Sequence, residues 1–202
     1  MSRLNNKLRI VVNFFNRVRL KNKAPSIIAS NCNGACICHD LGIKFNSPFV
    51  NLWLEPKDFI KLLTNLSYYM NIPLEFVEEE GISYPIGKLE DIYVYFQHYK
   101  TKDEAYEKWE ERKKRIDFSN LYILFTDRDG CTYEDLRNFN DLPYKHKIVF
   151  AKSPYPEFES VFHIKGFESE KSVGICTDFI NRFSGKKYYD QFNYVKWLND
   201  QS

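Results

Sequence analysis

No acidic residue occurs before Asp40 in this 202-residue chain. No stretch approaches the ~18 to 20 consecutive apolar residues that a membrane-spanning helix requires, so the chain is not expected to cross a bilayer as a helix. Glycine and proline are scarce, eight of each, which excludes collagen-like and low-complexity architectures. Repeats are absent, and with them solenoids and propellers. The opening segment has an apolar run of only Ile10 to Val12 before Asn13 and no small-residue cleavage site, so export through a signal peptide is not expected. Also missing are the G-x-S-x-G, G-x-G-x-x-G, Walker and H-E-x-x-H motifs. The cysteines are odd in number, five, with Cys32, Cys36 and Cys38 crowded together and Cys131 and Cys176 far away. That is no secreted disulfide framework, and it predicts a reducing, cytosolic compartment.

What is present is core material. Hydrophobic residues make up 44%, charged residues 28% and aromatics 17% of the chain, a composition that folds and, at this length, forms one domain. The net charge of +2 conceals an asymmetry. Residues 1–23 carry seven basic residues and no acid, which leaves 22 basic against 27 acidic residues in the remainder, a net −5. That body is a poor nucleic-acid binder, and no nucleic-acid partner is expected. Leu4, Leu8, Val11, Val12, Phe15 and Val18 recur at helical spacing among the basic residues. Residues 1–23 therefore read as a basic amphipathic helix, either packed on the domain or docked on anionic lipid at the inner face of the membrane.

Residues 24–202 alternate strand and helix. Ser26 to Ser30 reads as a buried first strand and Glu55 to Met70 as a helix. Ile92 to Phe96 and Leu121 to Thr126 flank a strongly charged helix, an expected β-α-β unit. Thr132 to Phe139 begins another helix, Lys147 to Ala151 a strand, Ser160 to Ile164 an edge strand, and Tyr188 to Leu198 a final helix. The expectation is a single three-layer α/β domain with a mainly parallel sheet and helices on both faces.

Sites in such sheets collect beyond the carboxyl ends of the strands. The first loop there is Ser30-Asn31-Cys32-Asn33-Gly34, and a helix beginning near Gly34 would set Cys32 at its positive end, where a thiolate or an anion is stabilised; a buried inert cysteine is the plainer reading. Cys32, Cys36, Cys38 and His39 offer soft ligands, but no second pair exists to close a zinc tetrahedron, and no metal is expected there. The second loop is Thr126-Asp127-Arg128-Asp129-Gly130. Its carboxylates suit a divalent cation and Arg128 a phosphate, while Asp and Gly equally suit a turn. His98, with Lys100 close behind, follows the Ile92 to Phe96 strand and could act as a general base. If these strands are parallel neighbours, the loops at 30–34, 97–100 and 126–130 converge. Cys32, His98 and Asp127 or Asp129 would then supply nucleophile, base and orienter for acyl transfer.

The Cys32 loop, Tyr84-Pro85-Ile86-Gly87, His98-Tyr99-Lys100, Trp109, Arg112-Lys113 and Thr126-Asp127-Arg128-Asp129-Gly130-Cys131 together resemble a bacterial family of exopolysaccharide and capsule loci that is carried as a domain of unknown function, over residues 24–180. Against that family's Ser-Asn-Asn-Cys-Trp-Gly-Gly loop, one Asn is absent, Asn33 replaces Trp and Ala35 replaces the second Gly. The Cys32 loop is also similar to that of a capsule acyltransferase family opening Gly-Asn-Cys-Gln and binding coenzyme A. These resemblances imply a transferase of surface-polysaccharide biosynthesis, acting on a glycan or lipid-linked glycan with an acyl-CoA donor such as acetyl-CoA. The expected catalytic residues are Cys32, His98, Asp127 and Asp129, and the expected substrate-binding residues are Ser30, Asn31, Asn33, Gly34, Lys100 and Arg128. The alternatives are a metal-dependent glycosyl or phosphoryl transferase using Asp127 and Asp129, and a non-catalytic glycan- or synthase-binding subunit.

Overall fold

The computed structural model describes residues 3–200. Its centre is a fully parallel four-stranded sheet of β1 (Ser26–Ala29), β5 (Leu121–Thr126), β6 (Lys147–Ala151) and β7 (Val161–His163), in the order β1-β5-β6-β7. Along β5, Tyr122 to Thr126 are all buried, as expected of a parallel strand covered on both faces. Successive side chains leave on opposite sides. Ile123 and Phe125 join a core with Phe59, Leu62, Trp109 and Phe139. Tyr122 and Leu124 join a second core with Ile37, Leu41, Tyr189 and Leu198. Helices α3 (Pro56–Thr64), α5 (Lys102–Lys113) and α6 (Tyr133–Asn140) supply the first core, and α2 (Asn33–Leu41) and α7 (Tyr194–Asn199) the second. The result is the expected three-layer α/β architecture with an edge strand at β7.

The expected β-α-β unit does not form. Ile92–Tyr95 is β4 of a separate antiparallel sheet with β2 (Glu75–Val77) and β3 (Ile86–Leu89). Leu89 pairs with Ile92 across a two-residue turn in which Glu90 takes φ 57°. A hairpin this short closes at little entropic cost. The burial of β4 also alternates, with Ile92 and Val94 inward and Tyr93 exposed, a pattern that suits a one-sided antiparallel sheet rather than the doubly covered parallel one.

Two expected helices are interrupted. Glu55 to Met70 divides at Asn65 (φ −147°, ψ 59°), whose side chain caps a second helix, α4 (Leu66–Asn71), by accepting from the Tyr68 N–H. Tyr188 to Leu198 divides into a 3-10 turn (Tyr188–Gln191) and α7, which Asn193 caps by accepting from the Lys196 N–H. Both breaks follow from asparagine's preference for caps over helix interiors.

The first helix, α1 (Arg3–Arg19), packs on the body through its polar side. Asn5, Arg9 and Asn13 are buried, while Leu4, Val11, Phe15 and Val18 of the apolar stripe are exposed. The reason is Asp40, a carboxylate 4% exposed in α2. It accepts from Arg9 Nη2 (2.6 Å), Asn13 Nδ2 (3.1 Å), Lys187 Nζ (3.1 Å) and the Tyr189 hydroxyl. Arg9 also pairs with Asp190. Burial alone would raise the Asp40 pKa, but the Arg9 and Tyr189 hydrogen bonds and the Arg9 and Lys187 charges hold it below the usual carboxylate range. A buried charge demands such partners, and α1 is oriented to supply them.

Candidate functional site

The site begins where β1 ends. The Ser30 N–H continues the ladder to the Leu124 carbonyl (3.1 Å), and the Ser30 carbonyl accepts from the Leu54 N–H (3.0 Å). Asn31 Nδ2 donates to Thr126 Oγ1 at the end of β5 (2.9 Å), and its Oδ1 accepts from the Asn33 N–H (3.2 Å), turning the chain into α2. Cys32 sits at the N-cap of α2 with no side-chain cap bond. Two residues on is Gly34, where an added Cβ would lie 2.8 Å from Ala29 Cβ and 3.0 Å from Ile27 Cγ2. Glycine is required so that α2 can lie directly on β1.

One residue past Trp53, which pairs with Tyr95, the chain reaches Leu54 and its bond to Ser30. The Trp53 and Tyr95 backbones exchange two 2.9 Å hydrogen bonds, and their rings stack at 4.2 Å and 11°. This short connection brings the end of β4 beside the end of β1. The three loop ends therefore meet, although their strands are not all parallel neighbours.

They meet around a cleft of about 510 Å³. The β1–α2 loop contributes Asn31, Cys32 and Asn33, the segment after β4 contributes Gln97 and His98, and the turn after β5 contributes Arg128 and Asp129. Trp53, Tyr84 and the segment Ile175, Cys176 and Thr177 complete the wall. Of the residues expected from the sequence, four do not line it. Ser30 is buried and held by its backbone. Gly34 serves packing. Lys100 lines a separate depression with Glu78 and Tyr84. Asp127 is buried, its Oδ2 accepting from the Lys152 N–H (2.9 Å) and its Oδ1 from the Val173 N–H (2.6 Å). It thus ties the turn after β5 to the β6 end and to the segment that carries Cys176. Asp129, at φ 58° beside Gly130 at φ 84°, is exposed at the cleft. The two carboxylates consequently do not face one ligand, because one is fully engaged by backbone amides. Among the described residues no three His, Cys, Asp or Glu side chains are grouped to hold a metal ion. Cys38 is buried and Cys36 half-buried on α2, while the His39 side chain is exposed.

Burial pushes the Cys32 thiol up to about 11, reinforced by Cys36 and opposed by the Arg128 charge. It is a thiol, not a thiolate, at neutral pH. Burial raises Cys131 and Cys176 further, to about 12, and raises Asp127 despite its two amide donors. His98 is exposed and lines the same cleft as Cys32. Besides Ile175 and the Cys176 thiol, the rest of the lining offers three amides, a guanidinium, a carboxylate, the Thr177 hydroxyl and the rings of Trp53 and Tyr84. Amides and charged groups pair with hydroxyls, and ring faces cover C–H surfaces. A sugar presents both.

Trp53 and Thr177 were not legible as site residues, since each derives its position from tertiary contacts rather than from a loop after a strand, whereas Gln97 falls in the expected 97–100 loop. Tyr84 stood inside the Tyr-Pro-Ile-Gly motif, which was the available signal.

The fold and cleft define an α/β protein with a polar, aromatic-walled site at the carboxyl ends of its strands. The chain belongs to the family described as a domain of unknown function, DUF1919, which matches residues 3–199. It is 48% identical over 198 residues to an uncharacterized protein of Haemophilus influenzae, covering 98% of this chain and 95% of that protein.

Proposed function

We propose that the protein is an acyltransferase of surface-polysaccharide assembly that modifies a glycan held in this cleft. The observation that carries the reading is the presence of a nucleophile, an imidazole and a guanidinium in one cleft whose other walls include three amides, the Asp129 carboxylate, two aromatic rings and the segment Ile175 to Thr177. His98 serves as general base. It removes the proton from Cys32 Sγ, which at a pKa of about 11 needs a base to become nucleophilic. Arg128, whose charge favours the thiolate, also borders an adjoining depression with Lys171. A coenzyme A thioester would supply the acyl group: the Cys32 thiolate attacks its carbonyl, and coenzyme A leaves as the thiol with the proton held by His98. The acceptor hydroxyl, giving its proton to His98, then takes the acyl group and releases Cys32. Arg128 and Lys171 are the cations that fit the donor's phosphates. Asn31, Asn33 and Asp129 orient the acceptor hydroxyl, and Trp53 and Tyr84 cover the sugar ring. Asp127 is a positioning residue, acting through the turn that carries Arg128 and Asp129.

A second reading, a glycan-binding subunit without catalysis, is favoured by one feature: no hydrogen bond links Cys32 to His98 among the described residues. The mass of the polysaccharide made with and without the protein tests both. Loss of acetyl groups, not restored by His98→Ala or Cys32→Ser, supports acyl transfer. Unchanged composition with reduced yield supports the binding subunit, and loss of a sugar overturns both.

A further inference from the structure

Helix α1 is amphipathic in the reverse sense to an ordinary surface helix. Its polar side faces the body: Asn5 is tied to Asn181 and Gly185, Arg9 to Asp40 and Asp190, Asn16 to Tyr194 (2.8 Å), and Arg17 to the Asp40 carbonyl (2.8 Å). At about 100° per residue, Leu4, Ile10, Val11, Phe14, Phe15 and Val18 fall on the side away from Arg9. They are exposed there, Ile10 at 70%, Phe14 at 60% and Val18 at 68%. The loop held by Asn5 adds Phe183, 75% exposed. Water solvates such a contiguous apolar strip poorly, and strips of this kind mark contact surfaces.

The charge on the strip selects the partner. Arg3, Lys7, Arg17, Arg19, Lys21 and Lys23 are exposed on or just after the helix, Arg182 and Lys186 lie beside it, and no acid occurs before Asp40. Arg3 and Lys7 project from the apolar side itself. A second copy docked through the same face would bring these cations against each other. A bilayer with anionic headgroups takes the apolar residues below the phosphates and the cations at their level. No described helix is long and apolar enough to cross a membrane, so the helix would lie in the interface.

We propose that α1 is a fixed interfacial helix that docks the protein on the surface of an anionic bilayer. The docking platform is preformed, because the Asp40 network already holds the helix with its apolar side outward. This inference is independent of the chemistry assigned to the cleft.

Sedimentation of the full chain with phosphatidylglycerol–phosphatidylcholine vesicles and with phosphatidylcholine vesicles tests it, at low and high salt. Phe14→Asp and Lys7→Glu are compared with the unmodified protein, with their melting temperatures measured alongside. Both positions are exposed, so the fold should survive. The expected result is binding to the anionic vesicles only, weakened by salt and reduced by an order of magnitude or more in Phe14→Asp, with a smaller loss in Lys7→Glu. No binding to anionic vesicles at low salt overturns the proposal, as does equal binding by Phe14→Asp. Light scattering that shows a dimer converted to monomer by Phe14→Asp, with no vesicle binding by either, would assign the face to a second copy and also overturn it.

Discussion

The region around Asp40 and the cleft around Arg128 are both polar, and they are completed in opposite ways. At Asp40, Arg9, Asn13, Lys187 and the Tyr189 hydroxyl close on one carboxylate. At the cleft, no hydrogen bond among the described residues engages the side chains of His98, Arg128 or Asp129. Buried polar groups in folded proteins are mostly satisfied, and apart from the unpartnered Asn13 Oδ1 the groups around Asp40 are, so the first region is accounted for by structure. Groups of mixed charge left open at strand ends are the ones with capacity for a ligand. Asp127 belongs with Asp40 by this measure, although it lies two residues from Asp129.

The largest expected effect falls on the closed region. Arg9→Met should destabilise the protein by about 3 to 5 kcal/mol, the cost of leaving a buried charge without its main partner, read by urea unfolding. Arg9→Met combined with Asp40→Asn should lose less than the sum of the single changes, because the two side chains are directly coupled. An additive result would break the comparison by showing that the network is not a unit. The Asp40 pKa is lowered by folding. Its contribution is therefore present above the unfolded value of about 4 and is lost as pH falls below it. The acid limb of the stability profile should flatten in Asp40→Asn relative to the unmodified protein.

Gly34→Ala comes next, at about 1 to 3 kcal/mol. Its Cβ would sit 2.8 Å from Ala29 Cβ, and both neighbours are packed strand residues rather than flexible tips. The change would also lift the start of α2 away from β1, displacing Cys32. Thermal unfolding together with thiol labelling of Cys32 would register both consequences. Unchanged stability would mean that α2 can retreat freely, contrary to its packing.

Asp127→Asn and Asp129→Asn divide the two regions most sharply. The first removes one of two acceptors for buried backbone amides and should cost about 1 to 3 kcal/mol, with any loss of function following the loss of fold. The second should leave the melting temperature nearly unchanged and, under the proposed acyl transfer, reduce acetylation of the glycan. Equal stability losses would assign Asp129 to the turn alone.

Much of the fold could be read before the structure, and the reason is specific. The runs at Ser26, Leu121 and Lys147 are continuously apolar because both faces of a parallel sheet are covered. The alternation of aliphatic and tyrosine residues in Ile92-Tyr93-Val94-Tyr95 was equally visible, yet the helix after it suggested a crossover. Strand membership depended on the hairpin at Glu90, a local turn with no glycine or asparagine to mark it. Helix α1 was legible as amphipathic, but periodicity does not say which side faces the body. That was decided by Asp40, 31 residues from Arg9. In the cleft, Asn31, Cys32, Asn33, His98, Arg128 and Asp129 could be found because loops after strands have a recognisable address. Trp53 and Thr177 have none.

The smallest expected effect concerns the thiols. Only the thiolate is alkylated at an appreciable rate, and below the pKa its fraction rises about tenfold for each unit of pH. Burial raises the Cys131 and Cys176 thiols above that of Cys32, so Cys32 should react with iodoacetamide faster at neutral pH, by less than the ratio of thiolate fractions because the less basic thiolate is also the weaker nucleophile. Its half-buried position also leaves it more accessible than the buried Cys176. His98→Ala should slow the Cys32 reaction without altering that of Cys131 if the imidazole draws the proton from the thiol. Peptide mapping by mass spectrometry resolves the three rates in one experiment. Equal rates for Cys32 and Cys176 would withdraw the nucleophile role from Cys32. A Cys32 rate indifferent to His98 would leave the open region as a binding surface whose polar groups recognise a glycan and perform no chemistry on it.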